Sequence, residues 1–200
     1  AMKTGYAEAL RSGADVVVKI DGDGQMDPRL IPQFVAPILR EQADYTKGNR
    51  FYDLEKIGQM PKLRLFGNAL LSLAAKLSTG YWNLFDITNG YIAIHAKVLQ
   101  HLPLKKISNR YFFETDMLFR LNTVRAVAVD IPMDAIYGDE KSNLKIKKIL
   151  FEFSKKHLEN LCKRIFYNYF LRDMTVASLE LLGGIILIFF GIVFGGVHWL

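Results

Sequence analysis

Cysteine is almost missing from this chain: Cys162 is the only one in 200 residues. An internal disulfide and a cysteine-rich zinc site are thereby excluded, and a reducing compartment fits. Disorder is excluded too, because half the residues are hydrophobic and 12% are aromatic. Acidic side chains are scarce in one place. Between Lys141 and Arg172 stand nine lysines and arginines against only Glu152 and Glu159, so this segment carries +7 of a net +6 and the remainder is −1. A nucleic-acid-binding domain would spread positive charge over its body, so no nucleic-acid partner is expected.

Charge disappears altogether from Leu181 to Val197, "LLGGIILIFFGIVFGGV". This run approaches the roughly 17 to 25 residues needed to cross a bilayer core. Its five glycines and lack of a polar face argue against a buried core helix. A transmembrane helix is expected within 174–200, and the preceding basic belt predicts a cytoplasmic catalytic side. Gly191 and Gly195 form a GxxxG spacing through which the helix could pair with a second copy. Residues 144–173 read as basic amphipathic juxtamembrane helices: Ile149, Leu150, Phe153, Leu158, Leu161 and Ile165 keep a helical stripe opposite the lysines.

The first 143 residues alternate helix and strand signals. "KTGYAEALRSG" reads as a helix closed by Gly13, and the β-branched run Val16-Val17-Val18-Lys19-Ile20 as a buried strand. Asp27-Pro28 starts a helix, "KLRLFGNALLSLAAKLSTG" is a longer one closed by Gly80, and "GYIAIH" and "AVAVDIP" are further strands. An α/β domain with a mainly parallel sheet is expected, its ligands beyond the carboxyl ends of the strands.

At such an end stand Asp21 and Asp23. Residues i and i+2 of an extended segment point the same way, so both carboxylates can converge on one hard cation, Mg²⁺ or Mn²⁺. An EF-hand is ruled out, because Met26 and Pro32 occupy the positions that need Gly and Glu. A plain Asp/Gly surface turn is the bland alternative, and Asp27 reads better as a helix cap than as a ligand.

"VVVKIDGDGQMDP" resembles the DxD region of family 2 glycosyltransferases with the GT-A fold, above all the dolichol-phosphate mannose synthase-like branch. "YTKGNRF", "FDITNGYIAIHAKVL", "YFFETDMLFRL" and "IPMDAIYGDEKSNLKI" are similar to further family segments, in the family's order, and the resemblance covers nearly all of residues 1 to 172. The resemblance implies a Rossmann-like GT-A catalytic domain over 1–143, incomplete at its N-terminus because the first nucleotide-binding strands have no counterpart. It further implies that Asp21 and Asp23 hold the metal on a nucleotide-sugar diphosphate, with Gln25 completing the site. Arg50 would lie near the phosphates or the acceptor, and Asp86 and Gly90 would shape the sugar pocket, although Gly90 could serve only a tight turn. Glu114 and Asp116 would stand beside the acceptor as candidate bases. Tyr137, Lys141 and Ser142 would close over the phosphates. His95 is taken as structural. No Q-x-x-R-W segment occurs, which argues against a processive synthase.

The expected activity is metal-dependent, inverting transfer of a hexose from GDP-mannose or a UDP-sugar to a polyprenyl phosphate, at the cytoplasmic face of an inner, plasma or endoplasmic-reticulum membrane. A sugar hydroxyl acceptor would need a general base, whereas a phosphate monoester is already anionic near neutral pH. A cell-surface glycan precursor is the alternative acceptor, and a non-catalytic membrane-interaction module the alternative class.

Overall fold

The structure is a computed structural model and describes residues 2–53, 62–134 and 146–199. Residues Ala1–Leu161 form one compact unit and Cys162–Leu200 a second. The division falls inside the segment read as juxtamembrane.

In the first unit, helix α1 (Met2–Arg11) leads to strand β1 (Val16–Lys19), with Gly13 at φ +75° between them, a conformation that favours glycine. A 3₁₀ turn (Pro28–Leu30) feeds α2 (Ile31–Leu39), and β2 (Tyr45–Asn49) follows. Asp27 caps that turn as expected, its Oδ1 accepting from the Arg29 N–H at 2.9 Å. Next come α3 (Lys62–Thr79), β3 (Ile92–His95), α4 (Ala96–His101), α5 (Phe113–Thr123), β4 (Ala128–Pro132) and α6 (Ile146–Phe166), whose last turns belong to the second unit. His95 is the N-cap of α4, with Nδ1 accepting from the Lys97 N–H, so its expected structural role holds.

The strand order is β1-β3-β2-β4. β2 and β4 pair parallel, whereas β3 runs antiparallel to both β1 and β2. The expectation of mainly parallel pairing is corrected to a mixed sheet. β1, β2 and β4 do share one direction, as helix-strand alternation requires. However, β3 returns reversed and inserts between β1 and β2, a neighbour choice that alternation does not encode.

The period of two along β3 divides the core. Ile92 and Ile94 face a cluster with Tyr45, Leu99, Met117 and Leu118, backed by α1, α4 and α5. Tyr91 and Ala93 face Phe34, Ile38 and Ile131 beneath α2. There Phe34 stacks on Tyr91, ring centroids 3.9 Å apart; burying one such ring stabilises by about 2 kcal/mol.

The second unit holds the end of α6, a π-helical turn (Tyr167–Arg172) and α7 (Val176–His198). α7 is the one helix among the described residues long and apolar enough to cross a membrane, and its side chains are almost wholly exposed. Ser178 Oγ accepts from the Thr175 N–H at 3.1 Å, closing the first turn of α7.

Candidate functional site

Because β3 is reversed, four connections meet at one end of the sheet: the carboxyl ends of β1, β2 and β4 and the turn that leads into β3. Lys19 ends β1. Its ammonium lies 3.0 Å from Asp21 Oδ1 and donates to Glu114 Oε1 at 3.1 Å and to the Gly90 carbonyl at 3.2 Å. Three elements thus converge on one cation, whose side chain is 12% exposed.

Gly90 lets this happen. A Cβ there would lie 2.1 Å from Asp21 Oδ2 and 2.8 Å from Lys19 Nζ. Its φ is not in the left-handed region, which only Gly13, Gly24 and Gly80 occupy among the described glycines. Close approach of the carboxylate, not a tight turn, is therefore what requires glycine.

The next connection is built on Arg50 at the end of β2. Its Nε donates to Asp86 Oδ2 at 2.6 Å and its Nη2 to Asp86 Oδ1 at 3.0 Å, a bidentate clamp. Asp86 is buried, accepts the Arg50 backbone N–H as well, and is joined by Thr88 Oγ1. Arg50 keeps about a third of its side chain exposed and lines an open cleft of about 100 Å³ with Phe51, Ser72, Phe85 and Thr88. The adjoining helix α3 leaves Phe66, Leu70, Leu73 and Leu77 exposed, one apolar stripe at helical spacing, and Phe85 and Trp82 stand exposed beyond its end.

Beneath the site Lys47 is fully buried, with its ammonium donating to the Asn89 carbonyl. Burial pushes it down to about 8, against the pull of Glu114 and Asp86. Asp130 accepts from the Phe85 N–H at 2.9 Å and from Asn49 Nδ2 at 3.1 Å, and burial raises its carboxyl.

The two candidate bases separate. Glu114 joins Lys19 in the cluster. Asp116 turns away and is buried, its Oδ2 accepting from the Ser108 N–H at 2.6 Å and its Oδ1 from Asn160 Nδ2 on α6 at 3.1 Å. Asp116 is placed to hold α6 on α5, not to reach a substrate. Asp21 is half-buried beside Gly90, while exposed Asp23 closes a local turn by accepting from the Gln25 N–H at 3.0 Å. Gln25 enters through its backbone. Tyr137, Lys141 and Ser142 lie outside the described residues.

The donor set fits a hard cation in part. Asp21 and Asp23 offer carboxylate oxygens on an accessible loop, and the space that a Cβ at Gly90 would fill keeps Asp21 in place. Among the described residues no group of three acidic, histidine or cysteine side chains could hold a metal unaided. An ion here would need oxygens from a ligand as well.

Sequence reasoning passed over Lys19 and Lys47. The available signal was a lysine inside each of two strand runs, "VVVKI" and "DYTKGN", where a buried charge demands a partner.

The description glycosyl transferase family 2 matches residues 2–102, half of the chain. The chain belongs to that family. It is 28% identical over 136 residues to UDP-N-acetylglucosamine–dolichyl-phosphate N-acetylglucosaminyltransferase of Methanococcus voltae, covering 68% of this chain and 54% of that relative. It is 32% identical over 130 residues to undecaprenyl-phosphate mannosyltransferase of Micrococcus luteus, covering 64% and 52%. The chain thus spans about half the length of these curated relatives. Among solved structures, glucosyl-3-phosphoglycerate synthase of Mycobacterium tuberculosis in complex with Mn²⁺, UDP and phosphoglyceric acid superposes with a TM-score of 0.53 at 18% identity, covering 80% of this chain and 51% of that one. The same enzyme with Mg²⁺ and UDP gives 0.52 at 19% identity, covering 80% and 52%. This family 2 chain therefore has the GT-A fold.

Proposed function

We propose that the protein carrying this chain transfers a hexose from a nucleotide sugar to a polyprenyl phosphate at the cytoplasmic face of a membrane, with inversion at the anomeric carbon. The observation that carries this reading is the Arg50–Asp86 clamp, whose partly exposed arginine lines a cleft beside the exposed apolar stripe of α3. A phosphate head on a hydrocarbon tail matches that juxtaposition. Two relatives whose names specify dolichyl-phosphate and undecaprenyl-phosphate support it.

The acceptor phosphate, with a second pKa of about 6, needs no base to become a nucleophile. Arg50 orients it by charge, and Asp86 holds the guanidinium so that little rotamer freedom is lost on binding. One phosphate oxygen forms a bond to the anomeric carbon as the bond from that carbon to the diphosphate oxygen breaks. The electron pair leaves with the nucleoside diphosphate. Asp21 and Asp23 would hold Mg²⁺ or Mn²⁺, which when bound neutralises charge on the departing diphosphate. Glu114, neutralised by Lys19, borders the donor side and does not repel it.

The uncharged run Leu181–Val197 within α7 and the basic belt before it suit anchorage with the catalytic unit on the cytoplasmic side. Keeping the enzyme at the bilayer raises its effective concentration toward a lipid-borne acceptor.

The test is to incubate membranes containing the complete protein with labelled GDP- and UDP-sugars and Mn²⁺. Label is expected in a lipid-extractable, mild-acid-labile product, lost to background with Asp21→Asn or Asp23→Asn. Label confined to glycan would move the acceptor to a saccharide precursor, and full activity in both variants would remove the catalytic role of the acidic loop.

A further inference from the structure

Lys19 and Lys47 share one position in the sheet. Both are in register with Ile92, one on each side of β3, so their side chains lie on the same face. They bind consecutive carbonyls of one turn: Lys47 takes Asn89 and Lys19 takes Gly90. Their surroundings differ sharply. Lys47 is sealed in the core. Lys19 is slightly exposed, and its partner Asp21 is 42% exposed. Of the contacts Lys19 makes, the one to Asp21 is the contact open to solvent; Glu114, at 16% exposure, is the sheltered one.

We infer that Lys19 is a positioning residue that acts as the resident counter-cation of the acidic loop, standing beside Asp21 until a divalent ion arrives and then retaining Glu114 and the Gly90 carbonyl alone. This rests on the metal role proposed above for Asp21 and Asp23. A fixed positive charge 3.0 Å from Asp21 opposes entry of a second cation. The ion therefore binds weakly by itself and more tightly when a nucleoside diphosphate brings compensating negative charge. Lys19 thus couples the entry of metal to the entry of donor, and its sheltered bonds keep Glu114 and the Gly90 turn in place during the exchange.

Mn²⁺ binding to the complete detergent-solubilised protein, followed by electron paramagnetic resonance with and without GDP or UDP, tests this without any turnover. Lys19→Gln keeps a donor for the Gly90 carbonyl but removes the charge. It is expected to tighten Mn²⁺ binding about tenfold in the absence of nucleotide and to shrink the gain that nucleotide gives. Lys19→Met is expected to do the same, and Lys19→Arg to stay within about twofold of the unmodified protein because the charge remains. Unchanged or weaker binding in folded neutral variants overturns the inference while leaving the proposed function standing. If both neutral variants lose their helical circular dichroism and Lys19→Arg does not, the lysine serves the fold alone and the inference is again overturned. Unmodified protein that binds no Mn²⁺ with either nucleotide defeats the metal reading and this inference together.

Discussion

At the residue scale, Gly90 concentrates the most function in the fewest atoms. The atoms that a methyl group would meet first are the carboxylate of Asp21 and the ammonium of Lys19, both ends of flexible side chains. Gly90→Ala should therefore fold, since those ends can swing away, but only by dispersing the cluster. Transfer activity is expected to fall at least about tenfold while the melting temperature moves by only a few degrees, read by product assay beside a thermal melt. Gly48 is a contrasting case: a Cβ there would meet Met133 Sδ at 2.5 Å and Asn89 Nδ2 at 2.8 Å, on an interior strand of the sheet. Gly48→Ala is expected to cost about 1 to 3 kcal/mol of stability, measured by chemical denaturation. Asp21, Asp23 and Asp27 could be read from the chain because their spacing and the following proline are local facts. The partners of Lys19 could not, since Gly90 and Glu114 are 71 and 95 residues away in sequence.

At the scale of elements, α6 docks through polar side chains as well as apolar ones. Its apolar stripe suggested a helix with lysines opposite; among its described side chains the buried ones are His157 and Asn160, Phe153 of the stripe packs partly buried against Phe112, and Phe151 and Leu158 stay exposed. His157 Nδ1 lies 2.8 Å from Ser78 Oγ, its ring packs edge-on to Phe112, and Nε2 finds no partner among the described residues. Burial pulls this imidazole down to about 4 from 6.5. The unfolded chain thus takes up a proton near pH 6.5 that the folded chain refuses until about pH 4. The stability associated with neutral His157 is complete above 6.5 and declines as pH falls through that window. Denaturation midpoints at pH 7.5 and 5 should differ in that direction, and His157→Gln should flatten the difference. Helices and strands were legible here because their periodicities are local. The reversed insertion of β3 and the polar docking of α6 were not, because both depend on which distant surface an element meets.

At the scale of the whole molecule, apolar surface lies open in each unit. The first unit exposes the α3 stripe together with Phe151 and Leu158 of α6, and the second exposes nearly all of α7. So much uncovered hydrocarbon suits a protein that works against lipid. Phe66→Glu combined with Leu70→Glu should lower transfer to a polyprenyl phosphate several-fold while leaving nucleoside diphosphate binding intact, the two being measured separately. A second consequence concerns β1. Among the described residues this strand pairs on one side only, and its half-exposed Val16-Val17-Val18 run presents a bare ladder of N–H and C=O groups along the other. Such a margin is adhesive toward any passing extended segment. Expressed by itself, this stretch of polypeptide should cluster through that rim, as light scattering at rising concentration would read.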